Sequence, residues 1–209
     1  MIKNYEQLAN GVIKQKNYEK IEYGYDYSSK RNYGVKGIKI SYLRLGFIVG
    51  AIKHIPSDVL DIGYGNGDFL SASKTIVKNC YGFDISNYPT PDGIQKLNQI
   101  SDFNGEVITM FDVLEHFEDI SVVKDFKCKY LIISLPECHY FSEEWFENWK
   151  HRRPNEHLWH FNKKSLTNFM EEMDYKPLSF SNIEDSVRLS DGPYSNILTV
   201  AFEKNLYDN

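Results

Sequence analysis

Asp61-Ile62-Gly63-Tyr64-Gly65-Asn66-Gly67-Asp68, entered from the apolar run Val59-Leu60, is the stretch whose reading decides the architecture. Glycines at alternate positions let the backbone turn tightly off a strand end and approach a ligand where a side chain would collide. Behind the loop, Phe69, Leu70, Ser73, Ile76 and Val77 fall on helical spacing, so the segment reads as strand, loop, helix. Short apolar runs of the same kind recur at 80–84, 107–111 and 130–135, each ending in polar residues. Strands of this type, separated by helical patterns, predict an α/β fold with a mostly parallel, doubly wound sheet covered by helices on both faces.

The flanks extend this frame. Upstream, Ile40, Leu43, Phe47, Ile48, Ala51, Ile52 and Ile55 trace one face of a helix that Pro56 ends. Residues 1–36 are polar, Tyr-rich and weakly periodic, and are expected to form loose helices or a cover. Downstream, Leu166, Phe169, Met170 and Met173 keep helical spacing, and 175–187 and 197–204 read as two strands, an antiparallel edge pair. The chain is expected to be one domain, with a helical, Tyr-rich cover over 1–57 packed on a core over 58–209. Its 209 residues suit one such domain and not two.

Composition narrows the partners. A net charge of −5 argues against general affinity for nucleic acid, which needs a positive field. Cys80, Cys128 and Cys138 are odd in number and lack CxxC spacing, which indicates neither a disulfide framework nor a zinc knuckle. Met1-Ile2-Lys3-Asn4 opens no signal peptide and no apolar run approaches the length of a membrane span, so no membrane partner and a cytoplasmic setting are expected.

Two acids flank the loop. Asp61 ends the first strand, placed to meet an ammonium group or to hold the loop, and Asp84 ends the next, where a carboxylate accepts from both hydroxyls of a ribose. A nicotinamide dinucleotide would need G-x-G-x-x-G, so that a helix N-terminus meets its pyrophosphate. The spacing here is G-x-G-x-G with acids around it, which suits a cationic, phosphate-free nucleoside. The plainer reading is a tight glycine turn among solvated acids.

With these residues in view, the chain resembles the class I (Rossmann-like) S-adenosylmethionine (SAM)-dependent methyltransferases, in the branch that includes small-molecule and sugar methyltransferases. The similarity runs from about Asp58 to Lys204. Residues 59–67 resemble the family's first motif, and Gly82-Phe83-Asp84-Ile85-Ser86 its second. Phe111-Asp112-Val113-Leu114-Glu115-His116 resembles the end of its fourth strand, and 155–161 with Ser165-Leu166 the loop and helix between strands five and six. The resemblance implies a seven-stranded sheet with a reversed last strand and SAM as cofactor. It also implies contacts from Asp61, Gly63, Tyr64, Gly65, Asp84, Ile85, Met110, Phe111 and Asp112. The chain departs from the family over 87–93, where a turn-rich stretch replaces the expected helix, and at Asp174, which takes the place of a helix-ending glycine.

The chemistry should lie in loops beyond the carboxyl ends of the strands. Glu115, His116, Glu137, His139, Tyr140, His157 and His160 fall there, and His116, His157 and His160 are the candidate catalytic residues. Each histidine has a plainer role as a cap or loop anchor. No metal is expected; Asp112, Glu115 and His116 form the alternative ligand set, similar to the E-x-x-E-H arrangement of ubiquinone-pathway O-methyltransferases and RNA 3′-terminal methyltransferases. Trp145, Trp149 and Trp159 with the basic run 150–153 read equally as an acceptor lid and as a packed helix beside solvated charge. Tyr18, Tyr23, Tyr25, Tyr27 and Tyr33 are candidates to fold over the cofactor. The expected activity is methyl transfer to a small-molecule or saccharide acceptor, at oxygen. An RNA- or protein-modifying methyltransferase, and a SAM-binding protein without turnover, are the alternatives.

Overall fold

A computed structural model of the protein describes residues 3–22, 24, 34–86, 88–190 and 192–205. In chain order its elements are β1 (Tyr5–Gln7), β2 (Ile13–Gln15), α1 (Val35–Ile52), β3 (Asp58–Ile62), α2 (Asp68–Ser73), β4 (Asn79–Phe83) and β5 (Gln95–Lys96). Then follow β6 (Gly105–Phe111), β7 (Cys128–Pro136), α3 (Glu143–Asn148), β8 (Trp159–His160), α4 (Lys163–Glu172), β9 (Tyr175–Ser181) and β10 (Ile197–Lys204). The main sheet has seven strands in the order β5-β4-β3-β6-β7-β10-β9. Pairs β4–β5, β3–β4, β3–β6 and β6–β7 are parallel, whereas β10 runs antiparallel to both β7 and β9. The expected reversed last strand is therefore present, placed inside β9, so that the expected edge pair has one edge member.

Both faces of this sheet are buried, which is why its strands read as unbroken apolar runs. Leu60, Ile62, Ile108, Met110, Leu131 and Ile133 point to one side and join Leu166, Phe169 and Met170 of α4. Val59, Val107 and Ile132 point to the other and join Leu45, Ile48 and Ile52 of α1 with Phe69 and Leu70 of α2. Each such side chain, fully buried, stabilises the fold by about 1.5–3 kcal/mol. The edge suits β9, because Pro177 cannot donate to a neighbour in the sheet, and the register of β10 shifts opposite it between Ala201 and Phe202. The α4 helix begins at a capping box: Asn162 accepts from the Ser165 amide, and the Ser165 hydroxyl accepts in return from the Asn162 amide.

Two local expectations meet the structure differently. Among the described residues, the helical cover is helical only from Val35; the start of the chain is a hairpin, β1 with β2, extended by β8 into a three-stranded sheet. Its signal is Asn10-Gly11, the commonest hairpin turn pair, with the Asn10 side chain accepting from the Val12 amide. The 175–187 strand stops at Ser181 and passes into a 3-10 turn at Ile183–Ser186. Among the described residues between β4 and β6 there is only the two-residue β5 and a 3-10 turn at Ile100–Asp102, in line with the missing helix. Asp174 adopts the left-handed conformation, φ 67°, that its place at the helix end requires. Among the described residues, no helix is long and apolar enough to cross a membrane. Tyr23, Tyr25, Tyr27 and Tyr33 lie outside the described residues.

Candidate active site

The carboxyl ends of β3, β4 and β6 open into a cavity of about 680 Å³, a size suited to a nucleoside and an acceptor together. Backbone builds its first half. Gly63 leaves β3 with φ 70° and donates to the Phe83 carbonyl at 2.7 Å, and Gly67 closes the turn on Tyr64 at 2.9 Å. A Cβ on Gly63 would lie 2.5 Å from Val113, so only glycine fits there; a Cβ on Gly65 would meet no protein atom and would project into open space. One oxygen of Asp84 accepts from the Gly65 amide at 2.9 Å and the other from Ser86 at 2.7 Å. That carboxylate is thus held in place by backbone while keeping lone pairs for a ligand. Ile85, exposed and apolar, stands beside it.

Asp61 lies at the bottom, 3% exposed, and among the described residues its carboxylate accepts from the Thr109 hydroxyl, at 2.7 Å. Burial pushes its carboxyl up to about 7, against the pull of the Thr109 hydrogen bond and the Arg44 charge. A cationic ligand group would complete its pairing.

Of the expected cofactor contacts, Asp61, Gly63, Tyr64, Gly65, Asp84, Ile85, Phe111 and Asp112 line this cavity. Met110 alternates away from it into the core and is fully buried. Asp112, at φ 56°, carries a network absent from the sequence expectations. Arg188 grips both its oxygens at 2.7 and 2.9 Å, and Arg44 of α1 reaches one at 3.2 Å. The same two guanidinium groups hold the fully buried Glu184, at 2.7–3.0 Å. Although burial opposes it, the two arginines keep the Asp112 carboxyl far below the usual carboxylate range. Four charges from three distant segments thus tie α1, the end of β6 and the connection before β10 around the cavity. In the sequence, Arg44 shows only as a polar break in an apolar helix, and Arg188 sits in an undistinguished stretch.

The histidines separate. His116 and His157 line the cavity, their rings edge to face at 4.7 Å between centroids. Each donates its Nδ1 hydrogen to a carbonyl at 2.8 Å, His116 to Glu156 and His157 to His151, since a carbonyl can only accept. A neutral ring in this tautomer keeps its lone pair on Nε2. Burial holds the His157 ring neutral, its pKa lowered to about 2. His160 lies elsewhere, buried between Tyr5, Phe146 and Trp149. Glu137 and His139 are engaged by Ser195, away from the cavity.

Glu115 is buried beside the two histidines, and neither carboxylate oxygen meets a donor among the described residues. Burial and the nearby Asp112 charge push its carboxyl well above the usual range. One ligand atom each from Glu115, His116 and His157 fall within 4.8 Å of one another. The alternative metal set is thereby redrawn, because Asp112 is spent on the arginines and His157 takes its place. Of the basic run, Lys150, His151 and Arg153 face the cavity, whereas the tryptophans pack outside it, with Trp145 stacked on Trp149.

Comparison with known proteins agrees with this fold. Residues 42–179 match a family model described as a methyltransferase domain. No curated protein matches. Among solved structures, magnesium protoporphyrin IX methyltransferase from Synechocystis with bound S-adenosylhomocysteine (SAH) is similar, with 14% identity over 85% of this chain and 93% of that one, and a TM-score of 0.57. A SAM-dependent methyltransferase from Clostridium acetobutylicum shares 12% identity over 87% and 96%, with a TM-score of 0.57. The methyltransferase domain of bacterial CtHen1 shares 17% over 77% and 97%, with a TM-score of 0.53.

Proposed function

This chain belongs to the SAM-dependent methyltransferase family, and from that premise we propose that it methylates a hydroxyl oxygen of a small molecule or saccharide. The observation that carries the proposal is that one cavity joins the glycine loop and its two acids to His116. The donor set suits SAM: Asp61 offers a buried acceptor to an ammonium, Asp84 offers lone pairs to ribose hydroxyls, Gly65 leaves room beside them, and Arg44 supplies a cation for a carboxylate. When bound, SAM supplies the methyl carbon that passes to the acceptor oxygen as the sulfide leaves.

The chain's own contribution is mostly positioning, which suffices to accelerate a direct displacement. His116 takes the proton of the acceptor hydroxyl on Nε2. Its Nδ1–H, held on the Glu156 carbonyl, fixes the ring's orientation and stabilises the imidazolium that forms. Val113 and Phe117 wall the same end of the cavity with apolar surface. Titration with SAM tests the cofactor half: saturable binding that Asp84→Ala abolishes is expected, and its absence overturns the reading. For the acceptor half, His116→Gln should leave that binding intact while lowering turnover about a hundredfold.

The stranded carboxylate of Glu115 favours a second arrangement, in which Glu115, His116 and His157 hold a divalent metal that lowers the acceptor hydroxyl's pKa. Two imidazoles and one carboxylate suit manganese, iron or zinc ahead of magnesium or calcium. Manganese should then raise the melting temperature of the wild type and not of Glu115→Gln; equal curves would exclude the metal and leave His116 as the base.

A further inference from the structure

One histidine of the cavity wall takes no part in that chemistry. His151, inside the basic run 150–153, is 8% exposed and lines the cavity together with Arg188 and Asn196. Its neighbours fix its ring. The Asn196 side chain donates from Nδ2 to the Arg188 carbonyl at 2.7 Å, and a carbonyl can only accept, so it is Oδ1 that meets His151 Nε2, at 2.8 Å. That oxygen accepts in turn, so Nε2 carries the hydrogen. Burial lowers the His151 pKa to about 4, against the pull of the Asn196 hydrogen bond, and the ring is neutral. A neutral ring of this tautomer keeps its lone pair on Nδ1. Among the described residues Nδ1 meets no donor, yet it is not sealed inside protein as the Glu115 oxygens are.

Asn196 is a rigid holder for this ring. Asp185 accepts from the Asn196 amide at 2.8 Å and, with its other oxygen, from the Ile197 amide at 2.9 Å, and the Asn196 carbonyl accepts from the Glu137 amide at 3.0 Å. Each polar atom of Asn196 thus has a partner, so the tautomer of His151 is built into the fold. The reacting end adjoins it. The His151 carbonyl accepts from Nδ1 of His157, whose ring packs edge to face on that of His116, and all three histidines line the cavity.

We propose that His151 is a specificity-determining residue whose Nδ1 accepts a hydrogen bond from a second hydroxyl of the acceptor, so that the molecule presenting one hydroxyl to His116 is a diol. The proposal rests on the methyltransferase reading of the same cavity. His151 binds and takes no proton. A site built to pair a substrate hydroxyl rejects the analogue that lacks it, because the buried acceptor is then left unpaired. Val113, Phe117, Pro136, Val187 and Leu189 add apolar lining, which suits a ring carrying the two hydroxyls.

The test uses the whole chain loaded with SAH, whose binding is first measured alone. Its imidazole nitrogens are isotope-labelled, and the His151 signals are assigned by their loss in His151→Phe and His151→Asn. Two matched pairs are then titrated: myo-inositol with cyclohexanol, and catechol with phenol. In the absence of these probes Nδ1 of His151 should give the signal of an unprotonated ring nitrogen. Myo-inositol or catechol should shift it saturably, while cyclohexanol and phenol at equal concentration leave it in place. Whichever of the two binds more tightly identifies the ring as saturated or aromatic. Its binding should weaken about tenfold in His151→Phe, with SAH affinity unchanged, and recover part of that loss in His151→Asn, whose amide oxygen can accept in place of Nδ1. If SAH binds while Nδ1 carries a hydrogen, or neither myo-inositol nor catechol shifts it, or the single-hydroxyl compounds bind as tightly, the proposal is overturned and the methyltransferase reading survives. If SAH itself fails to bind, both fall.

Discussion

The two halves of the cavity are made in different ways. The half proposed for the cofactor is backbone: Gly63, Gly65 and Gly67 within one short loop, clamped to Asp84 on the neighbouring strand. The half proposed for the acceptor is side chain: Arg44 from α1, Asp112 and His116 after β6, Arg153 and His157 before β8, and Glu184 and Arg188 before β10. The first half depends on conformations that only certain residues adopt, and the second on charges that offset one another across the cavity. The two should therefore fail differently when cut.

The largest effect is expected in the acceptor half. Arg188→Ala strips Asp112 of its bidentate partner and leaves it Arg44, and leaves Glu184 to Arg44 and Ser134; weakening a largely buried charge network in this way costs about 3 kcal/mol. Urea unfolding should register that loss; a change within experimental error would mean the quartet is not holding the two acids. Gly65→Ala should do the opposite. The added methyl meets no protein atom, so stability should change by about 1 kcal/mol for the positive φ, while SAM affinity falls about a hundredfold because the methyl occupies ligand space. Unimpaired binding by that variant would move the cofactor away from the loop.

Gly63→Ala sharpens the contrast within the loop. Its methyl strikes Val113, so it should lower stability by about 2 kcal/mol as well as binding, and Gly63→Ala combined with Val113→Ala should recover part of the stability. Normal stability in Gly63→Ala would show that the loop yields. The smallest effect concerns Asp61. Its carboxyl titrates near 7 in the folded chain and near the ordinary carboxylate value when unfolded, so the folded state retains a proton the unfolded state has lost. Stability from this group is greatest at low pH and declines as pH rises through that window. A cationic ligand draws on the ionised form, so SAM affinity should climb about tenfold between about pH 6 and pH 8, and flatten in Asp61→Asn. A profile of the same slope in that variant would assign the titration to another group.

How much of this was legible follows from the same contrast. The strand-loop-helix at 59–73, the two acids and the reversed last strand were readable because each is a local pattern or a run of buried strand. The hairpin at the start was missed although Asn10-Gly11 announced it, because three-residue strands carry too little alternation to show a period. Asp112 was readable as a cavity residue and misread as a metal-ligand alternative, since its partners lie 68 and 76 residues away. His160 shares a seven-residue loop with His157, yet the turn at 153–157 sends one ring to the cavity and strand β8 sends the other into an aromatic nest.

The sequence by itself determined the sheet, the family and the glycine loop with its two strand-end acids, because such a loop needs glycines and acids at fixed short spacing. Only the tertiary structure decided the other half of the cavity: that two arginines claim Asp112 and that Glu115 is left with two histidines. Those assignments depend on which segments packing brings together, and charge balance in a low-dielectric cavity is set by neighbours in space, whatever their separation along the chain.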